Sequence, residues 1–269
     1  MESVVSHFGF ERMPFSKEVP STGLYGHNGH LEAVARMGYL ISEQAIGVIF
    51  GECGSGKTVA FRAAVGSLEQ ARHSVIYLSN PMVGPRGLYA EMVLALGDEP
   101  RFHKAQLISQ VTRLITKEKE ELRRSVTIAV DEAHLLDAAQ LEELRLLTNA
   151  DMDSASPFSL ILIGQPSLKS RLRLGTFRAL DQRISLRYSM PTLSRSETAS
   201  YIAHHLSLQG RSEPVFSDDA TARIHEASRG LPRSINNLAR QALIAAYSNK
   251  SRLVDEKAAI QAIAEVERD

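Results

Sequence analysis

Apolar residues in this chain come in short unbroken runs set between stretches of helical period. Ile46-Gly-Val-Ile-Phe50, Ser74-Val-Ile-Tyr-Leu78, Val126-Thr-Ile-Ala-Val130 and Phe158-Ser-Leu-Ile-Leu-Ile163 read as strands, and 183–188 as a fifth. Between them the pattern predicts helices over 58–69, 87–96 (stopping at Gly97), 104–124 and 137–149. In 104–124 the apolar positions 107, 108, 111, 114 and 115 keep to one helical face. The first 45 residues mix aromatics, prolines and glycines and turn helical around 29–37. Strands that are apolar throughout and alternate with helices imply a parallel sheet covered on both faces. After Pro191 the strand signals vanish, and helical segments follow near 195–209, 217–228, 232–247 and 255–266. The expected organisation is an α/β domain over 1–190, including an N-terminal segment 1–45, and an all-α domain over 191–269.

Composition narrows the class. The 269 residues can bury a full core, and 43% hydrophobic with 23% charged residues is ordinary for a globular chain. No apolar run approaches the ~18 residues of a membrane span, and the N-terminus lacks a signal-peptide pattern, so a cytosolic location away from membranes is expected. The lone Cys53 excludes a disulfide framework and a cysteine-based zinc site, and reads as a small residue in a loop. The adjacent His204 and His205 are expected on a solvated helix face rather than on a metal. Net charge is zero, but 14 Lys/Arg against 6 Asp/Glu lie between Lys169 and Arg252. That imbalance permits a surface facing a polyanion.

The chemistry concentrates in two places. Gly51-Glu-Cys-Gly-Ser-Gly-Lys-Thr58 is a complete G-x-x-x-x-G-K-[ST] phosphate loop lying between a predicted strand and a predicted helix. The backbone N–H groups of Gly51, Gly54, Ser55, Gly56, Lys57, Thr58 and Val59 would surround a polyphosphate at the helix N-terminus. Lys57 would neutralise the β- and γ-phosphates, and Thr58 would ligate Mg²⁺, making ATP and Mg²⁺ the expected ligands. The strand 126–130 ends on Asp131-Glu132. Asp131 would hold the metal through its water shell and Glu132 would deprotonate the attacking water. One strand-and-helix unit, 74–97, separates the two in sequence. That intervening strand is expected to leave room for a catalytic glutamate between loop and sheet. Asp131-Glu-Ala-His134 also spells a helicase box, but fewer than 80 residues follow position 190, too few for the second domain such helicases need.

With these motifs the chain resembles AAA+ ATPases of the ExeA/GspA-like branch, related to transposition ATPases of the TnsC, MuB and IstB types. Phe8-Gly-Phe-Glu-Arg-Met-Pro-Phe15 and Leu24-Tyr-Gly-His-Asn-Gly-His-Leu-Glu-Ala-Val34 are similar to that branch's N-terminal signature beside the adenine pocket, although Phe15 and Tyr25 also suit plain packing. The resemblance implies an AAA+ P-loop NTPase fold with a five-stranded parallel sheet and a helical lid. It makes Gln165, in Ile163-Gly-Gln-Pro-Ser-Leu168, the sensor of the γ-phosphate. Arg183, in Leu180-Asp-Gln-Arg-Ile184, becomes the arginine finger supplied to a neighbouring subunit, with Arg178 and Arg187 as rivals. Arg233, in Gly230-Leu-Pro-Arg233, becomes the second sensor, and Asn80 the polar residue that restrains the glutamate.

Three functions of different class fit. The first, and the expected one, is a DNA-binding ATPase regulator of transposition. It would assemble as a hexameric ring or helical filament on double-stranded DNA and recruit a transposase, and possibly a target-selection protein. Arg86, Lys104, Lys169, Arg171 and Arg173 are its candidate phosphate contacts, in a binding mode insensitive to sequence. The second is an ATPase of secretion or cell-envelope assembly. The third is a scaffold that binds nucleotide without hydrolysing it. The chain's stop soon after the helical domain favours the first, because the secretion proteins continue into further regions.

Overall fold

The computed structural model describes residues 3–16, 23–149 and 156–266, and packing divides the chain into two units. One comprises 30–53 and 57–190. The other comprises the described residues of 1–29, 54–56 and 191–269.

The first unit is built on β1 (Ile46–Phe50), β2 (His73–Leu78), β3 (Ser125–Val130), β4 (Ser159–Gly164) and β5 (Ile184–Ser189), all parallel, in the order β2-β3-β4-β1-β5. Alternation along each strand divides its side chains between two apolar layers. Val48, Phe50, Ile128, Val130, Leu160 and Leu162 face one layer. That layer is closed by α4 (Gly84–Ala95), α5 (Lys104–Glu120), α6 (Ala138–Leu147), α7 (Pro166–Leu172) and α8 (Arg178–Arg183). Ile49, Ala129, Ile161 and Ile163 face the other, under α2 (Asn28–Ser42) and α3 (Lys57–Gly66). β1 and β4 are buried at every position, which is why their sequences read as unbroken apolar runs.

The strand of the 74–97 unit does not stand between the loop's strand and the acid-tipped one. The strand that separates the phosphate-loop strand from the acid-tipped strand in space is β4, and β2 stands at the sheet's edge. The chain leaves β1, crosses to the edge at β2 and returns through β3, so sequence order is not spatial order. The short α7 and α8 have no counterpart in the sequence pattern, since seven and six residues carry too little periodicity to register.

The second unit packs α1 (Val4–Phe8), α9 (Arg195–Ser207), α10 (Asp218–Ser228), α11 (Pro232–Ser248) and α12 (Glu256–Val266) around one core. Phe8, Phe10 and Phe15 belong to that core. Ser194 and Glu197 form a reciprocal capping box at the start of α9, and Ser217 caps α10. His205 is not solvated: it is 6% exposed, with Tyr201 and Phe15 rings at 4.5 and 5.3 Å. Its neighbour His204 is half-buried and bonds the carbonyl of Gly23 at 2.8 Å. Two adjacent residues on a helix point about 100° apart, so one can enter a core that the other only borders. Among the described residues no helix is long and apolar enough to cross a membrane.

Two predictions follow from this packing. A Cβ at Gly47 would stand 2.1 Å from Leu40 Cδ1, and Leu40 is fully buried. Gly47→Ala should therefore cost about 1–3 kcal/mol in urea denaturation. The double variant with Leu40→Ala should lose less than the sum of the two single variants. Burial, helped by neighbouring His204, holds the His205 imidazole down at about 4, against 6.5 ordinarily. The unfolded chain then takes up this proton first as pH falls. Stability is full above 6.5 and declines toward pH 4, by an amount on the order of 3 kcal/mol. His205→Leu should flatten that part of the pH dependence in thermal melts.

Candidate functional site

The glycine-rich loop joins β1 to α3 at the carboxyl edge of the sheet, where ligands sit in open parallel sheets. Gly51 donates its N–H to the carbonyl of Gly164 at 3.2 Å, so the loop starts out tied to the end of β4. Lys57 turns back into the loop and its Nζ donates to the carbonyls of Gly51 and Glu52, both at 2.9 Å. The amine is buried, and burial pulls its pKa below the ordinary lysine value while Glu132 and Asp131 partly restore it. The Ser55 hydroxyl is buried without a hydrogen-bond partner. Such an orphaned donor suits a loop shaped for an anion.

Position 54 is confined to glycine. Its φ is +80°, and a Cβ there would lie 2.7 Å from Cβ of Arg233. Arg233, exposed in the first turn of α11, also donates its backbone N–H to the carbonyl of Gly54 at 3.3 Å. This is the arginine that the resemblance singles out as the second sensor, and its hydrogen bond to Gly54 is made by the backbone.

The acid-tipped strand meets the loop's helix. Thr58 Oγ1 donates to Asp131 Oδ2 at 2.7 Å, and the N–H of Glu132 donates to Asp131 Oδ1 at 2.8 Å. Asp131 is 5% exposed, and its own N–H continues the sheet by donating to the carbonyl of Leu78 at 2.9 Å. Glu132 takes φ +50° and ψ 35°, a left-handed turn that carries the chain from the strand into a 3-10 turn, Ala133–Leu135. For a residue other than glycine that conformation costs about 1 kcal/mol or more, and such strain gathers at functional sites. Its carboxylate is 45% exposed and lies 3.4 Å from His134 Nδ1. Gln165 is half-buried directly after β4, at the cap of α7, and its side chain makes no capping bond.

Lys57, Thr58, Asp131, Glu132 and Gln165 thus share the carboxyl edge of one sheet. The other sequence candidates are engaged differently. Arg183 ends α8 and donates to Thr148 Oγ1 at 3.1 Å. Its rival Arg187 pairs with Asp181 at 2.8 Å, and Arg178 is exposed. Asn80 accepts the N–H of Met82 at 3.1 Å and so caps the 3-10 turn Pro81–Val83. Among the basic residues proposed for nucleic acid, Lys104 is ion-paired with Glu143. Arg86 donates to the carbonyl of Phe102 at 2.9 Å, and Arg171 to that of His134 at 3.2 Å. Lys169 and Arg173 are exposed.

One participant escaped the sequence reading. Tyr77, on β2, donates its hydroxyl to Asp131 Oδ2 at 2.7 Å, and its ring stacks on Phe61 of α3 at 5.9 Å. Burial, then the bond to Asp131, push the phenol above its ordinary pKa. The available signal was alternation: Ile76 and Leu78 point into the core, so Tyr77 had to face the side of α3.

Residues 40–172 match the family described as AAA domain. General secretion pathway protein A of Aeromonas hydrophila is 34% identical over 257 residues, covering 92% of this chain and 45% of that protein. The chain therefore spans less than half the length of this relative. Cdc6p from Pyrobaculum aerophilum has a similar structure, with a TM-score of 0.71 at 15% identity over 89% of this chain and 67% of that one. ORC1 from Aeropyrum pernix, solved in complex with DNA, reaches 0.70 at 17% identity over 100% of this chain and 72% of that one. The RuvB Holliday junction branch migration motor of Thermotoga maritima reaches 0.57 at 17% identity over 88% and 70%. Likeness at such identities is likeness of fold. With Lys57, Thr58, the acid-tipped strand and the β2-β3-β4-β1-β5 sheet in one unit, the chain has the AAA+ P-loop NTPase fold, and residues 40–172 are the part that resembles an AAA domain.

Proposed function

We propose that this chain hydrolyses ATP to drive or control a step of secretion or cell-envelope assembly, as an ATPase of the ExeA/GspA-like type. The observation that carries the reading is the 34% identity to a general secretion pathway protein, which runs through 92% of the chain instead of stopping at the loop. The transposition regulator expected from the sequence takes second place. It leaned on where the chain stops, and a relative of which the chain spans 45% gives that length no weight. Three of its five candidate DNA contacts are also held by Glu143, Phe102 and His134.

In this reading the loop amides and Lys57 bind the triphosphate, and Lys57 exchanges its bonds to Gly51 and Glu52 for phosphate oxygens. Leaving those two carbonyls costs little, because charge-assisted contacts replace them. The residues present fit a magnesium ion, with Thr58 as ligand and Asp131 behind the metal's water shell. The ion supplies neutralisation of the charge on the β- and γ-phosphates. Glu132, half-buried and next to His134, would accept the proton of the attacking water, and Gln165 would hydrogen-bond the γ-phosphate. Arg233 contributes from the start of α11, and Arg183 from a neighbouring copy in a homo-oligomer, once released from Thr148.

Two experiments test this. Lys57→Ala should abolish nucleotide binding in a fluorescent-nucleotide titration. Glu132→Gln should bind with near-native affinity yet turn over at least about 100-fold more slowly. Hydrolysis that survives Glu132→Gln removes the site assignment, and double-stranded DNA that raises turnover severalfold at moderate salt restores the transposition reading. For assembly, Arg183→Ala should be inactive alone and regain activity when mixed with Glu132→Gln subunits. Their intact arginine would then serve a site whose own glutamate is intact. A mixture that stays inactive rejects action across subunits.

A further inference from the structure

We infer that Tyr77 is a positioning residue that locks the Asp131 carboxylate in the orientation needed to receive the water shell of a bound magnesium ion. This rests on the proposed reading of Thr58 and Asp131 as the metal side of the site.

An ionised carboxylate offers about four acceptor directions, two on each oxygen. In Asp131 three are taken by protein donors. The hydroxyls of Thr58 and Tyr77 both reach Oδ2 at 2.7 Å, and the N–H of Glu132 reaches Oδ1 at 2.8 Å. One direction, on Oδ1, is left for a water. Oδ2 is saturated, so the carboxylate cannot swing round to become a direct ligand without giving up a charge-assisted bond. The metal's water is therefore met by a fixed acceptor, and the ordering cost is already met before the ion arrives.

The three donors come from three elements: Thr58 from α3, Tyr77 from β2 and Glu132 from the turn after β3. Thr58 alone cannot do this work. As a metal ligand its oxygen must aim lone pairs at the ion, and its single proton holds Asp131 only while the carboxylate stays put. Tyr77 has no such second duty. Its ring rests on Phe61, itself buried in the layer beneath α3, which fixes where the hydroxyl points. Tyr77 is 43% exposed and its strand is at the sheet's edge, so core packing alone does not account for a tyrosine here.

The test titrates fluorescent ATP into wild type, Tyr77→Phe and Tyr77→Met, first in EDTA and then at fixed nucleotide with rising Mg²⁺. Affinity in EDTA should be the same for all three. Half-saturating Mg²⁺ should rise about tenfold in both variants, the loss expected for one hydrogen bond to a charged acceptor. Tyr77→Phe keeps the ring on Phe61, and melting curves report whether each variant is folded. A half-saturation that stays put or falls in Tyr77→Phe overturns the inference, as does a shift confined to Tyr77→Met, which would assign the effect to the ring. Equal weakening with and without Mg²⁺ overturns it too. If wild type itself binds nucleotide with no dependence on Mg²⁺, the underlying reading of Thr58 and Asp131 fails, a result distinct from all of these.

Discussion

The inner strands β1, β3 and β4 are buried on both faces, and the layout of the sheet unit's polar residues follows from that. A strand covered above and below by helices has no room for a charge, and an unpaired polar group there is costly. β1 and β4 accordingly present apolar residues, glycine or a hydrogen-bonded serine, and their polar neighbours are displaced to where the strands end. With all five strands parallel, those ends lie on one edge. The lysine, the threonine, two acids and the glutamine are neighbours because the interior excludes them and the strand direction collects them.

That crowding has to be balanced locally. Lys57 and Asp131 are both nearly buried, and a buried charge without partners is expensive. Lys57 borrows two loop carbonyls, and Asp131 gathers three donors. In the proposed function these contacts prepare the site as well as stabilise it, since each holds a side chain where a phosphate or a metal's water would find it. Glu132 is treated differently. Its backbone is strained and its carboxylate is left half open, which suits the role proposed for it of taking a proton from a water molecule.

Much of this was legible in the chain. Strand positions fell within a residue or two, because fully buried strands leave unbroken apolar runs and the helices between them keep a clear period. The places of the glycine-rich loop, between β1 and α3, and of Asp131-Glu132, at the end of β3, were legible because both are set by where an apolar run stops. Arg183 and Lys104 were harder: an arginine or lysine string looks the same whether its charge is free or spent on Thr148 or Glu143. His205 was misplaced because adjacency in sequence says nothing of which helical face meets a core.

The sequence by itself determined the classes of element, the glycine-rich loop between a strand and a helix and the acids that follow a buried strand, since these rest on local periodicity and local chemistry. Tertiary structure alone decided who stands next to whom. It put β4 between the loop and the acids, sent β2 to the edge, and brought Tyr77 from there to the carboxylate of Asp131, 54 positions away. Strand order depends on crossover connections over the sheet, and no run of neighbouring residues records which way the chain crosses.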